Sequence, residues 1–229
     1  MSFDLLAAHY GWMETVMAGG VMQRARVAHL DRLKGRQKIL ILGEGPGRFL
    51  AAALPALPEA RFTCVDASAA MIAAARRRLG PAASSDRIRW IHAELPGWLP
   101  APEAGFDAVV TDCFLDCFPP DQLRVVIDGV AEACAPDATW LIADFGIPED
   151  GWRRWRAQAI HALMYAFFRV VTCLPARRWT DPADYLSAVG FRCAARRDFE
   201  HGLVQSHCWE RSAVYSGLIE TLPTMEMST

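Results

Sequence analysis

The chain has 229 residues, 52% of them apolar, and its 24 basic and 26 acidic side chains leave a formal charge of −2. That length suits a single domain spanning 1–229 better than a tandem array. The balanced charge offers no basic field to a phosphate backbone, which argues against nucleic acid as a dedicated partner. The opening residues, Met1 to Trp12, carry Asp4 and no cationic stretch ahead of an apolar run. No secretion signal is read there, and a cytoplasmic location is expected. The seven cysteines, Cys64, Cys113, Cys117, Cys134, Cys173, Cys193 and Cys208, include no CxxC pair and no zinc spacing, so reduced, mostly buried thiols and no metal site are expected.

The amino-terminal 35 residues read as a helical cap. Leu6, Tyr10, Met13 and Met17 recur at helical spacing, Gly19 and Gly20 interrupt the pattern, and a second helix is expected from Val21 to Leu33, ending at Gly35. The pattern then changes. Ile39 to Leu42 is a continuous apolar run of the kind a strand buried on both faces requires, and a glycine loop and the alanine-rich Phe49 to Leu57 follow it. Phe62 to Val65 predicts the next strand and Ser68 to Leu79 its helix; further strands are expected at Ile88 to Ile91, Phe106 to Thr111 and Thr139 to Ala143, with a helix over Asp121 to Cys134. Five strands alternating with helices imply a doubly wound, mostly parallel sheet. Residues 151–180 form an amphipathic helical insert, in which His161, Arg169 and Pro175 break any run long enough to span a bilayer. A closing hairpin is expected from Phe191 to Arg196 and Leu203 to Trp209, and Thr221 to Thr229 reads as a frayed tail.

Chemistry concentrates at the strand ends. KILILGEGPGRFL places Gly43, Gly45 and Gly47 after the first buried strand, where side chains would keep a ligand from the backbone. The spacing is GxGxG, and not the GxGxxG that a dinucleotide pyrophosphate prefers. Asp66 ends the second strand, where a carboxylate accepts two hydrogen bonds from a ribose diol; capping of the next helix, by Asp66 or Ser68, is the structural alternative.

The order GEGPG, CVDAS, HAELPGWLP and FDAVVTDCFLDCF resembles the class I S-adenosylmethionine-dependent methyltransferases, and more loosely their ubiquinone/menaquinone type. The resemblance covers roughly Leu5 to Arg211 and implies a Rossmann-like sheet of seven strands with a helical lid before the last two. It implies S-adenosylmethionine as cofactor, with Gly43, Gly45 and Gly47 cradling the methionine part, Asp66 with Ala67 at the ribose, and Glu94 and the Leu95 backbone at the adenine amino group. Met71 fits the apolar position beneath the adenine. The family's acid before the first glycine is Ile41 here, and Glu44 stands between two glycines instead, either turned to the cofactor's ammonium or to solvent.

Asp112, at the end of the fourth strand, falls where such a sheet opens on the methyl group, and is a candidate for both cofactor binding and catalysis; a carboxylate bonded to loop amides is the alternative. Asp116 ranks below it. His9 and Tyr10 follow Asp112 as candidate proton acceptors, and a lid of His9, Tyr10, Trp12, Met13, Met164, Phe167 and Phe168 would cover the pocket, although both stripes equally suit core packing. Among the other histidines, His92 lies nearest the expected adenine strand. Cys113 and Cys117, four apart, could share a helical face toward a soft metalloid, against the commoner role of small buried hydrophobes.

The function expected is in-line methyl transfer to a small, largely apolar acceptor, with no nucleic acid, no integral membrane span and a possible homodimer. A nicotinamide-dependent oxidoreductase would use the same sheet but a longer glycine spacing, and a non-catalytic binding scaffold is the other alternative.

Overall fold

The computed structural model describes residues 19–148, 151–172 and 180–211, with the side chains of 163–172 outside it. The amino-terminal helix face and His9, Tyr10, Trp12 and Met13 therefore lie outside the described residues, as do the lid side chains Met164, Phe167 and Phe168 and the tail.

Strands β1 (Lys38–Leu42), β2 (Arg61–Asp66), β3 (Ile88–His92), β4 (Phe106–Asp112), β5 (Cys134–Phe145), β6 (Phe191–Phe199) and β7 (Val204–Arg211) form one sheet in the order β3-β2-β1-β4-β5-β7-β6. All neighbours are parallel except β7, which runs antiparallel to both β5 and β6. The helices are α1 (Gly19–Arg26), α2 (Arg48–Ala56), α3 (Ala69–Leu79), α4 (Pro120–Glu132), α5 (Gly151–Thr172) and α6 (Ala183–Ala188).

Strand β1 shows why apolar runs predict this sheet. Leu40 and Leu42 pack with Val109, Trp140 and Ile142 against Leu123, Val126, Ile127 and Val130 of α4. Ile39 and Ile41 point the other way, with Val110 and Leu141, against Phe49, Leu50 and Ala53 of α2. Burial of each such side chain contributes roughly 1.5–3 kcal/mol. Trp140 is fully buried, and its indole N–H donates to Thr111 Oγ1 at 3.0 Å, so no donor is stranded.

Three elements and one residue differ from the sequence reading. Helix α1 begins at Gly19, and the helix expected from Val21 to Leu33 stops at Arg26, with a separate 3-10 turn at Leu30–Leu33. Strand β5 begins five residues early, because Cys134 pairs with Phe106 before a register shift brings Thr139 opposite Ala108. The short α6 has no counterpart in the sequence reading, and Cys113 is in no helix.

The strand order reverses between β1 and β4, so a crevice opens beyond the carboxyl ends of these strands.

Candidate functional site

The turn after β1 is held at both ends. Gly43 N–H donates to Val65 O at 2.9 Å, and Gly45 N–H donates to Asp66 Oδ2, also at 2.9 Å. The other carboxylate oxygen, Oδ1, accepts from Ser68 N–H at 2.9 Å, while Ser68 Oγ caps α3 by accepting from Met71 N–H at 3.1 Å. Asp66 thus ties the glycine loop to the start of α3, and Ser68 provides the cap.

The three glycines have different jobs. A Cβ on Gly43 would sit 2.5 Å from the Phe114 ring, and one on Gly47 would sit 2.9 Å from Ala75 Cα of α3. At Gly45 the nearest atom would be Gly43 O at 4.0 Å, so open space adjoins the backbone there. Gly47→Ala is expected to cost about 2–4 kcal/mol, since its φ of +80° disfavours a side chain and the neighbouring backbone cannot yield. Urea unfolding measures this, and a loss below about 0.5 kcal/mol would contradict the close packing of loop on helix.

Glu44 does not face solvent. It is buried, with Oε1 accepting from Leu50 N–H at 3.0 Å in the first turn of α2, while Oε2 has no partner. Burial pushes its carboxyl up to about 8; the Leu50 hydrogen bond is the largest opposing effect, and the fields of Asp112, which raises it, Arg26, which lowers it, and Asp66, which raises it, follow in that order.

At the end of β4, Asp112 Oδ2 lies 3.9 Å from Nε of the buried Arg26 of α1. Cys113 follows with φ +51°, its Sγ 3.6 Å from Met22 Sδ. That left-handed turn is why Cys113 and Cys117 share no helical face, and no group of three metal-ligating side chains occurs among the described residues. Asp144, closing β5, accepts from Phe145 N–H at 2.7 Å; burial first, then Asp116 and Asp112, raise its carboxyl well above the usual range.

Glu44, Asp66, Asp112, Asp116 and Asp144 thus make the carboxyl ends of β1, β2, β4 and β5 an acidic crevice, which Arg26 meets from α1. A ligand carrying positive charge fits this field, and the unpartnered Glu44 oxygen and the open backbone at Gly45 fit a polar ligand. Met71 and Leu95 are buried, Ala67 is half-buried, and Glu94 is exposed beyond β3. His92 is exposed, its Nε2 3.1 Å from Ala67 O. Arg26 and Asp144 were missed as site residues because their partners are 86 and 28 residues away in the chain, at Asp112 and Asp116.

A family model described as a methyltransferase domain matches residues 39–137. That stretch, under half of the chain, is similar to methyltransferase domains. The chain is 30% identical over 107 residues to the ubiquinone/menaquinone biosynthesis C-methyltransferase of Paracoccus denitrificans, covering 46% of this chain and 42% of that protein. It is 35% identical over 109 residues to trans-aconitate 2-methyltransferase of Streptomyces avermitilis, covering 47% and 39%. The matched stretch is therefore about two fifths of each relative. Among solved structures, the mitomycin 7-O-methyltransferase MmcR superposes with a TM-score of 0.66 at 20% identity, over 93% of this chain and 61% of that one. A chain of the Haloferax volcanii complex of the Trm112 methyltransferase activator with a methyltransferase gives 0.68 at 15% identity, over 91% and 95%. At such identities these two likenesses concern the fold.

Proposed function

We propose that the protein transfers a methyl group from S-adenosylmethionine to a small, largely apolar acceptor. The observation that carries this is the Asp66-tied glycine loop, open at Gly45, on the acidic crevice at the strand-order reversal. The loop of Gly43, Glu44, Gly45 and Gly47 holds the methionine part, Asp66 and Ala67 the ribose, and Met71, Glu94 and Leu95 the adenine. When bound, the cofactor supplies an electrophilic methyl on a cationic sulfur. The crevice carboxylates favour that charge, and the remaining task of the chain is to align the acceptor and exclude water.

Support for a small acceptor with an apolar part comes from a cavity of ≈ 280 Å³ beside Asp144, walled by Ile142, Phe145, Ile147, Pro182, Ala183 and Trp209 on its apolar side and by Asp181, Arg196, Gln205 and His207 on its polar side. Its size is near the lower bound for small-molecule sites. Of the two relatives named above, the one named for ubiquinone/menaquinone biosynthesis favours this reading over the one named for trans-aconitate.

Asp112 is the first candidate to accept a proton from an acceptor that must lose one, with His9 and Tyr10 behind it. Asp112→Asn is expected to lower kcat about 100-fold on such an acceptor. Labelled methyl transfer to a panel of phenols, quinols and thiols tests both points. Unchanged turnover in the variant would remove Asp112 from catalysis, and faster methylation of nucleic acid than of any small acceptor would overturn the acceptor class.

A further inference from the structure

Between Asp150 and Asp181 the chain holds six arginines, Arg153, Arg154, Arg156, Arg169, Arg177 and Arg178, and no acidic residue, in a protein whose total charge is −2. None of them is among the residues assigned above to the proposed cofactor site. At the start of this stretch Trp152 and Trp155 are 62% and 77% exposed, two of the three exposed large hydrophobic side chains among the described residues.

The helical geometry of α5 explains the exposure. Ala157 and His161, one turn apart, are buried, and the His161 ring lies 6.1 Å from that of Phe145. At 100° per residue, Trp152 and Trp155 are about 60° apart and roughly 170° from the Ala157 and His161 direction. The helix therefore rests on the protein by its Ala157 and His161 face and leaves both indoles largely exposed, Trp152 with its ring 6.0 Å from that of His201, and the exposed Arg153 and Arg156 lie to one side of them.

We propose that this end of α5 docks on an anionic lipid bilayer surface. Indoles settle at the boundary between headgroups and acyl chains, and arginines beside them are attracted to anionic headgroups. Within 151–180 no carboxylate opposes that attraction, while Glu149 and Asp150 precede the helix in the chain. The attachment is peripheral, because no helix among the described residues is long and apolar enough to cross a membrane.

Co-sedimentation of the full chain with phosphatidylcholine vesicles, with and without phosphatidylglycerol, tests the proposal. The expected result is binding to the phosphatidylglycerol vesicles that weakens with added salt. The double substitution W152A/W155A is expected to weaken it about tenfold or more, and R153Q/R156Q to weaken it about tenfold or more. All four side chains are exposed, so both variants should melt with the wild type. Absence of binding to the anionic vesicles, or variants that bind as wild type does, would overturn the proposal. So would a W152A/W155A variant that turns a dimer into a monomer in sedimentation velocity while the wild type ignores vesicles, which would make this face a self-contact.

Discussion

Asp66→Ala is expected to weaken S-adenosylmethionine binding about 100-fold or more. The carboxylate holds Gly45 N–H and Ser68 N–H at 2.9 Å each, so truncation strands two amides at once, each costing about 1–3 kcal/mol, and releases the loop from α3. Asp66→Asn keeps one acceptor and turns a donor toward the other amide, so its loss should fall between wild type and alanine. Calorimetric titration of the three proteins gives the order. An alanine variant that binds within threefold of wild type would mean that neither the loop nor the ribose depends on this side chain.

The second large effect concerns pH. The Glu44 carboxyl, raised from 4.5 to about 8, binds a proton in the folded chain over a range where the unfolded chain has released it. Stability contributed by this group therefore falls as pH rises from about 5 to 8, and the shift corresponds to roughly 5 kcal/mol between the protonation states. Glu44→Gln keeps an oxygen for Leu50 N–H and removes the titration. At pH 5 the variant and wild type should melt within about 2 °C, and at pH 8.5 the variant should melt about 5 °C or more higher. Asp144 shifts in the same direction and continues to titrate in both proteins, so the difference between the curves isolates Glu44. Parallel melting curves across this range would contradict a desolvated Glu44.

That result bears on the unusual loop. With Ile41 packed in the core, a carboxyl two residues before Gly43 is absent, and Glu44 reaches the α2 terminus from within the loop. Helix amides and dipole favour the carboxylate there, yet burial outweighs them. A bound cation beside Glu44 would favour its ionised form again, which is why the loop suits a cationic ligand.

The sheet was legible because its signal is local. Four consecutive apolar residues at Ile39 to Leu42 and a glycine after them are enough to identify a strand buried on both faces and its turn. Asp66 was legible for the same reason, since a carboxylate at a strand end is a matter of sequence position. Both the ribose-facing and the structural readings of Asp66 named it, and its two amide contacts now describe a loop tie. The burial of Glu44 was not legible, because a polar residue between glycines carries no periodicity and its environment comes from α2 and β4. Arg26 was hidden similarly: nothing in RARVAHL marks one arginine as the partner of Asp112. The positive φ of Cys113 follows from the chain turning after β4 while its N–H donates to Ala143 O at 2.8 Å, a constraint imposed by β5. The six-residue α6 is too short for helical spacing to register.

The measurement closest to the central claim is calorimetric titration of S-adenosylmethionine, S-adenosylhomocysteine and NADH into the wild-type protein. Binding of both adenosyl compounds, with no heat from NADH, is the predicted result. Binding of NADH alone would move the fold to nicotinamide chemistry, and silence from all three would contradict a cofactor site at the Gly43 to Gly47 loop.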